Sequence, residues 1–300
     1  EKKRLDFCFL HEEENVSEMA ISHDGKYLAS TTSSFKGINI WDLQGNKLLR
    51  KLETPSRRIA FSPTAPILGS AGIADFSIWD VETGEKLYRC PEKFRVFHFF
   101  LMFFPDGNTV VTCDDLSRKP INFVDFKSSE AWTLSETLPF HVESVDLSKD
   151  RKTLLFSSKK DGIYLYDIFD QMVRLEITGN YEAVRYSPNG ETFGAFKNET
   201  LFLWDAQTGQ LKQKVEIESI NPGKIVIFDG QKNMISAKHR SDVRMWTIDS
   251  DTDILDIEMA KGFHNAFAAS QGSNHLVITN FKTELKTHNL EIWDLNKKKK

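Results

Sequence analysis

Cysteine is scarce in this chain: Cys8, Cys90 and Cys113 are the only three in 300 residues. Their odd number, wide separation and lack of a C-x-x-C pair exclude a disulfide framework and a cysteine-based zinc site. They read as small buried hydrophobes of a reducing compartment. Long apolar runs are also lacking. The longest, Phe99 to Phe104, falls far short of the roughly 18 residues that span a bilayer, so no membrane insertion is expected. Glycine (16) and proline (9) are too few for a low-complexity chain. Neither charge sign prevails. Lys and Arg number 39, Asp and Glu 43, and the net charge of −4 argues against a whole-protein electrostatic footprint for nucleic acid. After Glu1-Lys2-Lys3-Arg4 only a short apolar stretch precedes His11-Glu12-Glu13-Glu14, which is not the pattern of a secretory signal. A cytoplasmic location is expected, with the nucleus as the alternative. What the chain has in excess is phenylalanine, 23 residues beside 6 Trp and 6 Tyr. The 40% apolar and 27% charged content is that of a globular protein.

Internal self-similarity organises the rest. Trp-Asp recurs at Trp41-Asp42, Trp79-Asp80, Trp204-Asp205 and Trp293-Asp294, and weaker copies at Val124-Asp125, Tyr166-Asp167 and Trp246-Thr247 fill the gaps. The spacings are 38, 45, 42, 38, 42 and 47 residues, the period of a four-stranded propeller blade. Before each anchor an apolar run, a polar turn and a second apolar run follow one another. The turns include Ser22-His23-Asp24-Gly25, Pro105-Asp106-Gly107-Asn108, Ser148-Lys149-Asp150-Arg151 and Ser187-Pro188-Asn189-Gly190. Asp-Gly and Asn-Gly favour tight hairpins because they tolerate positive φ. Further turns follow several anchors, at Gln44-Gly45-Asn46, Glu82-Thr83-Gly84 and Gln207-Thr208-Gly209. Each unit therefore reads as four antiparallel strands, named a to d in chain order.

Seven registered anchors with seven hairpins resemble the WD-repeat family of β-propellers over nearly the whole chain. The expected fold is all-β, a single seven-bladed β-propeller of four-stranded antiparallel blades over residues 1–300. Blade 1 covers about 16–53, blade 2 about 57–90, blade 3 about 95–135 and blade 4 about 142–177. Blade 5 covers about 181–217, blade 6 about 223–259, and blade 7 about 264–295 plus 4–10. Blade 7 lacks a fourth strand of its own, whereas Arg4 to Leu10, with alternating Leu5, Phe7 and Phe9, has no other partner. The N-terminal strand is thus expected to complete blade 7 and close the ring, which removes two unpaired sheet edges. The Gly-His pair that often precedes strand a in the family occurs nowhere here. Few blades are then expected to hold the family's His–Ser/Thr–Asp–Trp hydrogen-bond network, and the phenylalanine excess suggests apolar packing in its place.

No enzyme constellation emerges. The chain has no Gly-x-Ser-x-Gly elbow, phosphate loop, His-Glu-x-x-His or dinucleotide fingerprint, and its eight histidines are scattered. The Asp249 to Asp253 run lacks the glycine and distal Glu of an EF-hand loop and reads as a solvated turn. No catalytic residue, metal, cofactor or small-molecule substrate is expected.

Three surface features bear on binding. The run Phe94 to Phe104 is too long for one strand, so Phe94 to Phe97 fall in the loop before it. It is either core or an aromatic patch for a partner. Aligning the hairpins places Ser17, Arg57, Phe99, Glu143, Glu182, Gly223 and Asn265 at one position where strand a begins, flanked by Arg58, His98, Tyr181 and His264. The resemblance implies a peptide-binding top rim there, for which Arg57, Arg58, Phe97, His98, Glu143, Tyr181, Glu182 and His264 are the candidates. Finally, pairing of the two ends would gather Lys2, Lys3 and Arg4 with Lys297, Lys298, Lys299 and Lys300 into a basic patch. The expected function is a non-catalytic protein–protein interaction scaffold within a multi-subunit complex. The alternative is an RNA- or ribonucleoprotein-associated propeller that uses the basic junction.

Overall fold

The computed structural model describes the backbone of residues 4–12, 16–32, 34, 36–72, 76–90, 98–114, 121–133, 142–150, 152–158, 161–187, 189–216, 220–228, 234–239, 242–247, 254–255, 267–269, 275–282 and 287–294. Side chains are described within 16–216, apart from 33, 35, 73–75, 91–100, 113–120, 133–141, 151, 159–160 and 188, and at Val277. The described residues form strands, turns and no helix.

Every described strand joins a four-stranded antiparallel sheet. β1 (Arg4–Glu12) is the first strand of the chain. β2 (Val16–Ile21), β3 (Tyr27–Thr32), β4 (Ile38–Asp42) and β5 (Lys47–Leu52) make the first sheet in chain order. β6 (Arg58–Phe61), β7 (Ile67–Ala71), β8 (Phe76–Asp80) and β9 (Lys86–Arg89) make the second. β10 (His98–Phe103), β11 (Thr109–Asp114), β12 (Asn122–Asp125) and β13 (Glu130–Thr133) make the third. β14 (Val142–Leu147), β15 (Thr153–Ser158), β16 (Gly162–Asp167) and β17 (Met172–Thr178) make the fourth. β18 (Glu182–Tyr186), β19 (Thr192–Lys197), β20 (Thr200–Asp205) and β21 (Leu211–Glu216) make the fifth. β22 (Ile220–Phe228), β23 (Met234–His239), β24 (Asp242–Thr247) and β25 (Ile254–Leu255) make the sixth. In the last, β26 (Phe267–Ala269), β27 (His275–Lys282) and β28 (Thr287–Asp294) pair in the order β1-β28-β27-β26, so the N-terminal strand is the fourth member. Its register pairs Arg4 with Trp293 and Phe7 with Leu290.

Two turn devices recur and explain the repeat at residue level. In the a–b hairpins a serine hydroxyl donates to the carboxylate or amide oxygen two residues on: Ser22 to Asp24 (2.6 Å), Ser148 to Asp150 (2.6 Å) and Ser187 to Asn189 (2.7 Å). The same hydroxyls accept from the N–H of Tyr27, Thr153 and Thr192. In the c–d turns the aspartate of the anchor pair accepts from turn amides. Asp42 takes Gln44 and Gly45, Asp125 takes Lys127 and Ser128, Asp167 takes Phe169 and Asp170, and Asp205 takes Gln207 and Thr208. These are Asx turns, in which a short acidic side chain replaces a backbone acceptor. The aspartate of Trp-Asp is therefore a turn former.

The chain divides into two compact units, Glu1–Thr137 with Gly262–Lys300, and Leu138–Lys261. In the first unit the core lies between successive sheets. Ile40, Leu52, Ile59, Leu68 and Trp79 pack together, as do Ile78, Phe103, Val110, Val124 and Phe126. In the second unit Leu155, Ile163, Val184, Phe193 and Trp204 fill the same kind of interface. The apolar run ending at Phe104 supplies β10, and Leu101, Phe103 and Phe104 are buried. The stretch Phe94 to Phe97 lies outside the described residues.

The tryptophan anchors differ from sheet to sheet. Trp41 donates its indole N–H to Ser30 Oγ at 3.1 Å and Trp79 to Ser70 Oγ at 2.8 Å. In the fifth sheet Ala195 stands where those serines stand, and Trp204 instead stacks between Phe193 (5.3 Å) and Phe202 (5.7 Å). In the fourth, Phe156 occupies that place and stacks on Tyr164 at 5.2 Å. Part of the hydrogen-bond network thus survives in two sheets, and aromatic stacking replaces it in two others.

Candidate interaction surface

The a strands alternate in exposure. Glu18 and Ala20, Arg58 and Ala60, Ser144 and Asp146, and Ala183 and Arg185 are half-buried, while Met19, Ile59, Val145 and Val184 between them are buried. In these four strands one face therefore packs between sheets and the other remains accessible. The residues that sequence alignment groups at the start of strand a have a specific backbone role. Ser17, Phe99 and Glu143 are each the extra residue of a β-bulge, because the ladders skip them between Val16 and Glu18, His98 and Phe100, and Val142 and Ser144. A fourth shift falls between Glu182 and Arg185, where Ala183 has a φ of 54°. Bulges re-aim side chains out of the regular ladder and are frequent beside functional sites.

In the first unit, Ser17 Oγ bonds Thr31 Oγ1 at 2.8 Å and donates to the Thr32 carbonyl at 3.2 Å. Arg57 is exposed, with its amide bound to the Ala71 carbonyl. Arg58 bridges to Glu18 on the next sheet, Nη1 to Oε2 at 2.9 Å. His98 opens β10 opposite Asp114 in the backbone ladder. In the second unit, Glu143 and Glu182 are half-buried at the starts of β14 and β18. Tyr181 is only 8% exposed; its ring meets Phe202 and Trp204 edge-on at 5.6 and 5.3 Å. Its body is core, with Lys197 Nζ over the ring at 5.5 Å. Phe97 and His264 lie outside the described residues, as do Lys2, Lys3 and Lys297 to Lys300. Arg4 is placed by its backbone, beside Trp293.

The electrostatics of the described residues are those of turns and joints. Asp80 and Asp167 sit below the usual carboxylate range because amides of Thr83 and Asp170 bond them, and Asp205 because Lys212 and the Thr208 amide do. Burial pushes Tyr164 up to about 12 and raises Tyr181 and Tyr186, so these phenols stay protonated and are poor nucleophiles. Lys26 is held above its usual range by the Tyr27 hydroxyl and Glu82 of the second sheet. Arg50 adds bonds from Nη1 to the Thr83 carbonyl (2.7 Å) and from Nη2 to that of Glu82. The turn of the second sheet is thereby pinned to the first. Among the described residues no three His, Cys, Asp or Glu side chains stand together as a metal site. No described helix is long and apolar enough to cross a membrane.

The pair Asp146 and Arg185 is absent from the sequence-based candidates. Counting back two residues from the hairpin serines Ser22, Ser62, Ser148, Ser187 and Ser270 gives Ala20, Ala60, Asp146, Arg185 and Ala268, and the charged pair would have stood out against the alanines.

No family model and no curated protein sequence matches the chain. Among solved structures, the β-propeller domain of Cps50 (Swd1) from Myceliophteria thermophila is similar. The TM-score is 0.76 at 14% identity, over 97% of this chain and 99% of that one. The fold is that of a β-propeller domain.

Proposed function

We propose that the chain is a seven-bladed WD-repeat-type propeller, closed by β1, and that it acts as a non-catalytic scaffold. It binds partner polypeptides of a multi-subunit assembly through the bulged starts of its a strands, in the cytoplasm or nucleus. The observation that carries this reading is the recurrence of those bulges. Three a strands set one residue out of the ladder at the same place, presenting residues as different as Ser17, Phe99 and Glu143, and Arg57 and Glu182 stand at the matching starts of β6 and β18. The Swd1 propeller domain supports the frame. Affinity capture of the full chain followed by cross-linking mass spectrometry tests it. A stable protein partner cross-linked near the a-strand starts is expected, and recovery of no protein partner overturns the reading.

The pairing of Arg4 with Trp293 favours a second reading, because it sets the described ends of two lysine-rich termini side by side. In that reading the basic residues bind RNA. Salt-dependent RNA binding that falls when Lys297 to Lys300 are deleted supports it, and no binding at low salt removes it.

A further inference from the structure

The accessible face of the a strands holds small or apolar residues at one register position in the first three sheets: Ala20, Ala60 and Met102. In the unit Leu138–Lys261 the same position carries Asp146 on β14 and Arg185 on β18, opposite charges on neighbouring strands of two sheets. Each side chain grips the other's backbone. Asp146 Oδ2 accepts from the Tyr186 N–H at 2.7 Å, while Arg185 Nη1 donates to the Val145 carbonyl at 3.2 Å and to Ser144 Oγ at 3.0 Å. The remaining contacts tie each group to its own strand. Leu147 N–H donates to Asp146 Oδ1 at 2.9 Å, and Arg185 Nη1 to the Val184 carbonyl at 2.8 Å. Ser144 Oγ donates across to that same carbonyl at 3.4 Å.

We propose that Asp146 and Arg185 form a proton-gated clasp between β14 and β18, closed when Asp146 is ionised and loosened when it takes up a proton. Guanidinium keeps its charge at any working pH. A proton taken by Asp146 from water therefore leaves the half-buried Arg185 without its counter-charge, and the neutral acid is a weaker acceptor for the Tyr186 amide. Burial raises the Asp146 carboxyl, and the Arg185 charge and the amides of Tyr186 and Leu147 only partly oppose it. Proton uptake thus falls at a higher pH than for a free carboxylate. Arg185 and Tyr186 face the group from β18, and Glu182 lies at the start of that strand. Asp150 and Arg174 act on the Tyr186 phenol. β15, behind β14, carries no titratable side chain, β14 itself adds Glu143, and Lys197 and Lys224 belong to β19 and β22, which flank β18. The clasp does not depend on which partner the propeller binds.

The amide of Tyr186 reports directly on the gate. The chain has 6 tyrosines, so ¹⁵N-tyrosine labelling of the full protein gives few signals, and Tyr186→Phe identifies the one that matters. That signal is expected to move with a midpoint above the ordinary aspartate value of about 4. The midpoint should rise further in Arg185→Met, and the movement should vanish in Asp146→Asn. Below the midpoint, exchange of the Tyr186 amide, corrected for its intrinsic pH dependence, should quicken several-fold. A wild-type midpoint at or below about 4, movement that survives Asp146→Asn, or an unchanged exchange rate overturns the clasp.

Discussion

Individual side chains hold this protein together in unequal ways. Trp41 and Trp79 each have a buried indole N–H with one serine acceptor. Ser70→Ala removes the acceptor of Trp79 and leaves a buried donor unmet, which costs about 1–3 kcal/mol. Urea denaturation should show that loss, and a change below about 0.5 kcal/mol would mean the bond is expendable. Ala195 has no hydroxyl to lose, and Trp204 relies on its stacked neighbours. The two kinds of anchor were legible in the sequence, since the eighth residue after the hairpin serine is Ser30 and Ser70 in the first two sheets but Ala195 in the fifth. The burial of Tyr181 was not legible. It precedes a strand and reads as a rim residue, but a bulge at Ala183 shifts the alternation of β18, and bulges leave no compositional mark. The charges of Asp146 and Arg185 could be read from their offset to the hairpin serines, but their contact could not, because it depends on the level at which two sheets face each other.

At the scale of the element, the c–d turn is the repeated unit of construction. Asp167 accepts two turn amides and pairs with Arg174 of β17, so its carboxyl is held below the usual range. A depressed carboxylate contributes stability above its unfolded value, and that contribution is lost as pH falls through the acidic range. Asp167→Ala should therefore flatten the acid limb of a stability–pH profile below about pH 4. An acid limb identical to that of the unaltered protein would show that the turn does not use the charge. The b–c turn of the same sheet depends on Gly162, whose φ is 139° and whose missing Cβ would meet the Ile177 carbonyl. Strained backbone of this kind costs about 1–3 kcal/mol for other residues, and Gly162→Ala should lower the thermal midpoint by several degrees in calorimetry. An unchanged midpoint would show that the turn relaxes freely. Such turns were the most readable part of the chain, because Asp, Asn, Gly and Ser at tight spacing declare them.

For the whole molecule, the pairing of β1 with β28 joins the two ends of the chain in one sheet. Deleting residues 1–12 should expose an unpaired edge on β28 and lower the thermal midpoint markedly, whereas deleting residues 1–3 should not. Equal midpoints for both truncations would show that β1 adds nothing to the fold. The pairing was foreseen because a leftover alternating segment and a sheet short of one strand could be counted from sequence alone. What the propeller binds is not written in any spacing, since the residues at the a-strand starts vary freely on a common frame. The most direct measurement is site-specific photo-cross-linking, with a photoreactive side chain placed at Arg57 or Glu182 and, for comparison, at the turn residues Thr83 and Gln207. Protein partners captured predominantly from positions 57 and 182 are the expected result; equal capture from all four positions, or none from 57 and 182, contradicts an interaction surface at the a-strand starts.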